Sequence, residues 1–530
     1  MYDTDYLIIG SGINSLSCAL VLSKAGYSVM IVEGAKEIGG AARTAEITVP
    51  GLKHDLYAAN IGLFLGSPVY AEFQDDINRH GFSPVMSACP MASVFPDHTG
   101  NAIFTDHAKT DSMIRQFSEH DADAVNELFT YFREVAPFFL PLLQKKMPSV
   151  QAFKQIALLY RKLGPRQTHY LINLLCKSPR QYCSHWFEHP KTQALFLPWA
   201  MHLDFGPDVS GGATFPFVEP PTYHDCGMPL ARGGVQAIVQ SMASCIRQHG
   251  GVIQKGQWVQ QILVKKGRVV GVQTENGQQV FARRAVIANV TPTKIVQGLL
   301  DTNQLPSEYI QKCRSYRFGP GTMMIHLALS KPVQWAAGSV FSKFNYVHIG
   351  PYVEEMADTY TQAMNGLLPA SPLMIVGQLS TTDPTRACNG YHVLWIQVRT
   401  VPYHPKGDAV QGPGAIGPGP WDQIKEQYAD RVVSKLKHYA PGVHADIVQR
   451  VVYSPYDLER ENPNLGRGDS IAGSHHWDQF YAFRPFPGWS RYKTPIQSLY
   501  IAGAATWPGA GLHGTSGYLL GKDLVKKRRF

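Results

Sequence analysis

The sequence predicts an α/β protein in which a Rossmann-like parallel sheet, assembled from separated stretches of chain, carries an inserted α+β domain. Three features predict it. A strand, glycine-rich turn, helix and strand open the chain over residues 5–33, short strands separated by turns fill 251–288, and a strand, glycine-rich turn and helix close it from residue 498. At 530 residues the chain exceeds what one hydrophobic core holds, so the middle is expected to form a second body threaded between parts of the first.

The elements follow from local signals. Residues 6–9 (Tyr-Leu-Ile-Ile) read as the first strand, 15–24 as its helix and 28–32 as the second strand. A mixed stretch runs to about 225, with helical, basic, aromatic-containing segments around 124–187. Residues 236–248 read as a helix that Gly250-Gly251 closes. Strands are expected at 251–253, 259–264, 269–274 and 280–288, with Lys266-Gly267 and Asn276-Gly277 as hairpin turns. Residues 322–329 and 391–400 alternate as sheet strands do, 405–420 is a Pro/Gly-rich loop, and 422–437 is a helix. The close is a strand at 498–501 and a helix from about residue 514.

Composition narrows the function classes. Hydrophobic residues are 44% and charged residues 17%, a globular balance with room for a large buried ligand. Cys18, Cys89, Cys176, Cys183, Cys226, Cys245, Cys313 and Cys388 show no CxxC and no ligand-like spacing, which fits reduced thiols and excludes a zinc site or disulfide scaffold built on them. No basic n-region with a cleavage site precedes the first strand, and no apolar run reaches the ~20 residues a spanning helix needs. The expected location is cytoplasmic, with peripheral membrane contact allowed.

The net charge of +9 is local. Residues 135–187 contain no Asp or Glu but carry Lys145, Lys146, Lys154, Arg161, Lys162, Arg166, Lys177 and Arg180, and the tail Lys526-Lys527-Arg528-Arg529 adds four charges. Such a patch implies an anionic surface as partner. Its apolar runs, residues 138–143 and 156–160, suit a helical lid resting on anionic lipid, or else a solvated cap whose apolar side is core. Aromatics there are too sparse for a nucleic-acid stacking platform, so no nucleic-acid partner is expected.

The chemistry lies in the glycine turns. Gly10-Ser11-Gly12-Ile13-Asn14-Ser15 stands where the first strand becomes a helix: Gly10 permits the turn, Gly12 admits a pyrophosphate, and the first helical amides hold it, with Ser15 in place of the usual third glycine. Glu33 ends the second strand, 21 residues past Gly12, placed to accept hydrogen bonds from an adenosine ribose. NAD and FAD both use that arrangement. The run Glu33-Gly34-Ala35-Lys36-Glu37-Ile38-Gly39-Gly40-Ala41-Ala42-Arg43 separates them, because a second Gly-Gly followed by Arg brings backbone against the pyrophosphate and ribityl chain of FAD. No second Gly-x-Gly-x-x-Gly turn supplies an NAD(P)H domain, so oxygen or a quinone is the expected electron acceptor.

With these motifs the chain resembles the phytoene desaturase-like flavoproteins of the glutathione reductase/amine oxidase superfamily, on the branch of bacterial carotene ketolases and pyridine-nucleotide-disulphide oxidoreductase-domain relatives. The resemblance spans nearly the whole length and is strongest at 5–62, 229–292 and 454–521. Its carriers include Arg232-Gly233-Gly234-Val235, Trp258-Val259, Ala285-Val286-Ile287-Ala288-Asn289, Ser454-Pro455-Tyr456-Asp457, the run 476–485 and the closing run 499–517.

The resemblance implies a glutathione reductase/amine oxidase-type FAD domain formed by 1–70, 226–300 and 454–530, and a substrate domain formed by a helical cap at 71–225 and a sheet at 301–453. It implies non-covalent FAD, with Val259 meeting the adenine through its backbone and Ala288-Asn289 returning toward the cofactor. Gly503-Ala504 would lie against the ribityl phosphate, and the helix start at Gly514-Thr515-Ser516 would aim amides at the flavin. Tyr57 and Trp507 would line the substrate pocket. Trp507 stands where relatives often carry histidine, and His513 where a small residue or proline is usual.

The expected reaction is hydride transfer from a hydrophobic, polyene- or isoprenoid-like substrate to flavin N5. An amine oxidase, an isomerase or saturase, and a non-catalytic flavoprotein scaffold remain open, as does a homo-oligomer. His513 reads as a flavin-tuning or proton-donating residue, or as a hydrogen-bonded loop histidine. His54-Asp55 is a flavin-side segment or a turn, Asp383-Pro384 a turn, and His475-His476 lacks a third metal ligand in sequence.

Overall fold

Two seven-stranded sheets organise residues 3–526, the part of the chain that the computed structural model describes. In the first, Thr4–Ile9 lies between Val29–Val32 and Gln279–Ala288, all parallel, with Val252–Gln254 outside one and Leu499–Ile501 outside the other. Both faces are covered, as a parallel sheet requires: Tyr6 and Ile8 pack to one side, Leu7 and Ile9 to the other. The strand Gln279–Ala288 does double duty. Its first residues pair antiparallel with Arg268–Thr274, and its later ones join the parallel sheet. The hairpin turn between Val259–Lys265 and Arg268–Thr274 holds Lys266 at φ 49° and Gly267 at φ 73°, the two positive values that a tight Lys-Gly turn between twisted strands needs.

The chain's two ends meet in this layer. Helix Ile13–Lys24 packs on helix Thr515–Lys526, and a Cβ at Gly517 would stand 1.7 Å from the Asn14 carbonyl oxygen. Glycine is required where these backbones touch.

The second sheet runs in the order Ile447–Tyr453, Gly321–Leu329, His392–Val401, Leu373–Gly377, Tyr346–Ile349, Met91–Val94 and Gly100–Ile103. The two alternating stretches read from the sequence form its central antiparallel pair. Period-two alternation splits it: Ile325, Ile396 and Val398 face the helix Trp421–Tyr439, whereas Met324, Tyr346 and Trp395 face a helical layer.

That layer contains Glu119–Leu143, Val150–Cys176 and Pro179–Trp186, each begun by a serine (Ser118, Ser149, Ser178) whose hydroxyl accepts an amide of the first turn. The second of these breaks at Gly164 (φ 75°), just before Pro165. Within the 405–420 loop, Gly407–Asp408 pairs with Leu367–Leu368, held because Asp408 accepts the amides of Val410 and Ile416 and pairs with Arg431.

Candidate functional site

Ile9, Val32, Ala288 and Ile501 stand side by side at the carboxyl ends of four parallel strands. A cavity of about 770 Å³ begins there, lined by the residues that follow those ends: Gly10, Glu33, Asn289 and Gly503. Open α/β sheets bind ligands at this edge because strand ends release backbone groups and helix N-termini together.

One wall is backbone. Gly10 turns at φ 83°, Gly39 at φ 124° and Gly40 at φ 59°. A Cβ on Gly40 would stand 3.3 Å from Gly12 Cα, so the two glycine turns touch. Gly12 begins the first helix without a side-chain cap, leaving its first-turn amides to whatever occupies the cavity. Gly503 has φ 144°, and a Cβ there would come 2.3 Å from Asn289 Oδ1, while the Asn289 amide donates to Ser15 Oγ at 2.8 Å. Ile13, Asn14, Gly34, Ala41, Arg43, Val259, Ala504 and Tyr57 complete the expected residues on the lining.

Three features of this wall were not read from the sequence. Glu33 accepts from the Ser11 amide at 2.7 Å and the Ser11 hydroxyl at 2.5 Å, and Ser11 Oγ in turn accepts the Gly39 amide at 3.0 Å. The middle residue of Gly-Ser-Gly thereby ties both glycine turns to the acid. Trp258 lies against Gly34, where a Cβ would meet its ring at 2.3 Å. Asn462-Pro463-Asn464 also lines the cavity, and Asn464 donates to the Asn289 carbonyl at 2.9 Å.

Several expected residues stand elsewhere. Ser15 and Ala288 are fully or nearly fully buried behind the wall rather than on it. Gly514, Thr515 and Ser516 also lie off the lining. A Cβ at Gly514 would meet Ser17 Oγ at 2.1 Å, the Thr515 amide donates to His513 Nδ1 at 2.9 Å, and the Gly517 amide donates to Asn14 Oδ1 at 3.2 Å. The Thr515 and Gly517 amides of this helix start are thus taken by protein acceptors. His513 is therefore a cap: Nδ1 accepts from Thr515, so Nε2 carries the proton and donates to the Gly509 carbonyl at 3.1 Å. Burial lowers its pKa to about 4, and it does not reach the cavity, which corrects the proton-donor reading. Trp507 is corrected as well. It is fully buried, packs on Phe480 and Tyr481, and donates its indole N–H to the Lys145 carbonyl at 2.7 Å.

Behind the wall, Arg386 is fully buried and bridges Asp55 at 2.7 Å and Asp383 at 3.1 Å. Asp55 accepts the Val235 amide and Asp383 the Gly233 amide, so His54-Asp55 and Asp383-Pro384 belong to a charged brace under Arg232-Gly233-Gly234-Val235. His54 also lies off the cavity, and burial lowers its pKa to about 4. Arg484, in the run 476–485, donates to the Ala504 carbonyl at 2.8 and 3.0 Å and so fixes the loop after the last strand. His475 Nε2 accepts the Ala510 amide at 3.0 Å, and His476 Nε2 faces Asp204.

The rest of the cavity is a chamber of different character. Trp199, Phe215, Tyr346, Trp395, Leu465 and Ile471 give it apolar surface, and Tyr346 stacks on Trp395 at 5.6 Å. Trp395, Gln397 and Arg399 alternate along one strand and so share one face. Arg399 is buried and spends its donors on the carbonyls of Met201, His202 and Leu203 and on Ser470 Oγ; burial lowers its pKa to about 10. His202, held neutral by burial and 2.9 Å from His348, and Glu219 complete the ionisable groups that the chamber adds.

Residues 16–516 match the family described as flavin containing amine oxidoreductase. Pyridine nucleotide-disulfide oxidoreductase domain-containing protein 2 of Rattus norvegicus is 26% identical, over 97% of this chain and 92% of its own length. A limonene dehydrogenase subunit from Castellaniella defragrans is 23% identical, over 98% and 94%. Phytoene desaturase (neurosporene-forming) of Cereibacter sphaeroides is 23% identical, over 96% and 92%. Among solved structures, an oxidoreductase from Methanosarcina mazei superposes with a TM-score of 0.58 at 17% identity, covering 98% of this chain and 99% of that one. The chain belongs to the flavin containing amine oxidoreductase family.

Proposed function

We propose that this family member is a dehydrogenase or desaturase that holds FAD without a covalent bond and oxidises a hydrophobic, polyene- or isoprenoid-like molecule. The glycine wall and the uncapped helix start at Gly12 suit a dinucleotide diphosphate, and Glu33 suits the adenosine ribose. Bound there, FAD would supply the hydride acceptor, its N5 atom. The chain's own part is to orient and to exclude water: Gly503, Asn289 and Arg43 shape the cofactor side, while Trp199, Tyr346 and Trp395 surround the substrate. One observation carries the reading, namely that a single cavity joins the glycine wall to the aromatic chamber. Two relatives whose names specify limonene and phytoene support a hydrocarbon-like substrate. Reoxidation falls to oxygen or a quinone.

The test is anaerobic mixing of the FAD-loaded protein with lipid extract from its host, then mass spectrometry. Bleaching of the flavin with loss of two hydrogens from a lipophilic compound is the expected result. Peroxide release with amines, without bleaching by lipids, would instead place the protein among amine oxidases.

A membrane surface is part of the proposal. On Val150–Cys176, Val150 (68%), Phe153 (73%), Ile156 (45%) and Tyr160 (53%) are exposed apolar residues beside Lys154, Arg161 and Lys162. Among the described residues those three cations have no ion-pair partner, whereas Lys146 pairs with Asp523. No helix of the described residues is long and apolar enough to cross a membrane, so the contact proposed is a face lying on anionic lipid. The basic tail expected to assist lies, apart from Lys526, outside the described residues.

A further inference from the structure

We propose that Glu219 is a catalytic base of this enzyme, taking the proton that the substrate loses as it is oxidised. The inference rests on the dehydrogenase reading above.

Glu219 lies on the helix Thr214–Cys226, is only 7% exposed, and lines the cavity beside Phe215 and Trp199. The other carboxyls on the lining stand apart from the aromatic chamber: Glu33 and Glu37 come from the glycine-motif segment, and Glu461 pairs with Arg43 at 3.3 Å. Among the described residues Glu219 has no ion-pair partner. An unpaired buried carboxyl is costly to keep, and a protein that needs only packing there would place an apolar side chain.

An ordered chain of donors ends beside the helix that carries the carboxyl. The Gly62 amide donates to Asn60 Oδ1 at 2.9 Å, Asn60 Nδ2 donates to the Tyr223 oxygen, and Tyr223 is the side chain that bears on the Glu219 carboxyl from its own helix. Tyr223 follows Glu219 by four residues, so one helix face carries both. Because the amide end of Asn60 is fixed by Gly62, the Tyr223 phenol accepts from Asn60 and keeps its own proton for another acceptor.

Burial raises the Glu219 pKa to about 7, so the proton-bound and proton-free forms are both populated at neutral pH, as a general base requires. The groups that face it electrostatically are Tyr223 on its own helix and Tyr346 on the opposing sheet, both phenols pushed up by burial and uncharged. Of the other ionisable chamber residues, burial holds Tyr57 protonated and His202 neutral, and Arg399 is committed to carbonyls and Ser470.

In the oxidation, one substrate C–H bond breaks with both electrons leaving as hydride, for which FAD bound in the cavity would supply the acceptor. The neighbouring C–H bond breaks, its electron pair becomes the new double bond, and its proton passes to the Glu219 carboxylate.

The test uses FAD-loaded wild-type, E219Q and E219D proteins. In wild type, an infrared difference spectrum across neutral pH should show a protonated-carboxyl band lost with a midpoint near pH 7, as burial sets it, and that band should be absent in E219Q. The anaerobic bleaching rate should rise with pH through the same midpoint. E219Q should lose that limb and slow by about 10²–10⁴-fold at nearly unchanged KM, with partial rescue in E219D. Equal bleaching rates in E219Q and wild type, or a raised KM with kcat and the limb intact, would overturn the proposal and leave the dehydrogenase reading standing. Wild-type protein that no lipophilic compound bleaches would remove that reading and this one with it. Flavin retention by E219Q checks that the variant is folded.

Discussion

Replacing Gly503 by alanine adds one methyl group to the wall that Gly503 and Asn289 form together. The backbone there holds φ 144°, a conformation costing an L residue about 1–3 kcal/mol. The new Cβ would stand 2.3 Å from Asn289 Oδ1, roughly 1 Å inside ordinary contact. Asn289 has little room to retreat, because its side-chain amide donates to Ser15 at 2.8 Å, its carbonyl accepts from Asn464 at 2.9 Å and its backbone N–H donates to Ile9 at 3.1 Å. Losing the Ser15 bond adds about 1 kcal/mol, and the overlap itself costs about 1–3 kcal/mol.

Gly26→Ala is the control. Gly26 also has positive φ, 84°, but a Cβ there meets nothing within 4 Å, so only the backbone penalty applies. The difference between the two variants is then about 2–4 kcal/mol. The assay is urea unfolding of both variants with flavin retention through gel filtration. Gly503→Ala should unfold at clearly lower urea and lose flavin, with its dissociation constant raised at least about tenfold, since 1.4 kcal/mol is a factor of ten. Equal unfolding midpoints and equal flavin retention in the two variants would refute the close contact and the cradle built from it.

Other consequences follow from groups around the cavity. Burial raises Glu219 from 4.5 to about 7, so the folded chain holds a proton that the unfolded chain releases, and stability falls as pH rises from about 4.5 to about 7. E219Q should therefore raise the Tm above neutral pH, by up to about 3 kcal/mol of stability, and leave it unchanged below pH 4.5; thermal melts across pH check the sign. Arg386→Met should cost about 3–5 kcal/mol in urea unfolding, because Asp55 and Asp383 are left buried without a counter-charge, and adding D55N and D383N should recover much of it. His513→Asn should keep the cap and His513→Ala should lose about 1 kcal/mol, with neither changing the pH–rate profile near neutrality. On the surface, reversing Lys154, Arg161 and Lys162 to Glu should abolish sedimentation with anionic vesicles while flavin content stays constant; retained sedimentation would count against the lipid-facing helix.

What the sequence determined is the set of features that one short stretch of backbone requires. A turn at Gly10, Gly39 or Gly40 needs positive φ, and only glycine meets that demand freely, so both glycine turns were legible. Period two marked the strands that became the centre of the second sheet, and Ser-x-x-Asp at Ser454 and Asp457 is a capping box whose two bonds close within four residues.

Tertiary structure decided what converges. Ser11 reaches Glu33 and Gly39, Asn60 reaches Tyr223, and Arg386 joins Asp55 to Asp383 across more than three hundred residues, because sheet register and helix packing set those distances. Trp507 and His513 show the converse. Both sit in the closing glycine-rich run, yet packing turned one into the protein interior and the other onto a helix start. A side chain's neighbours are chosen by the whole chain's burial and hydrogen bonding, whereas a turn's backbone angles are chosen by the residue that occupies it.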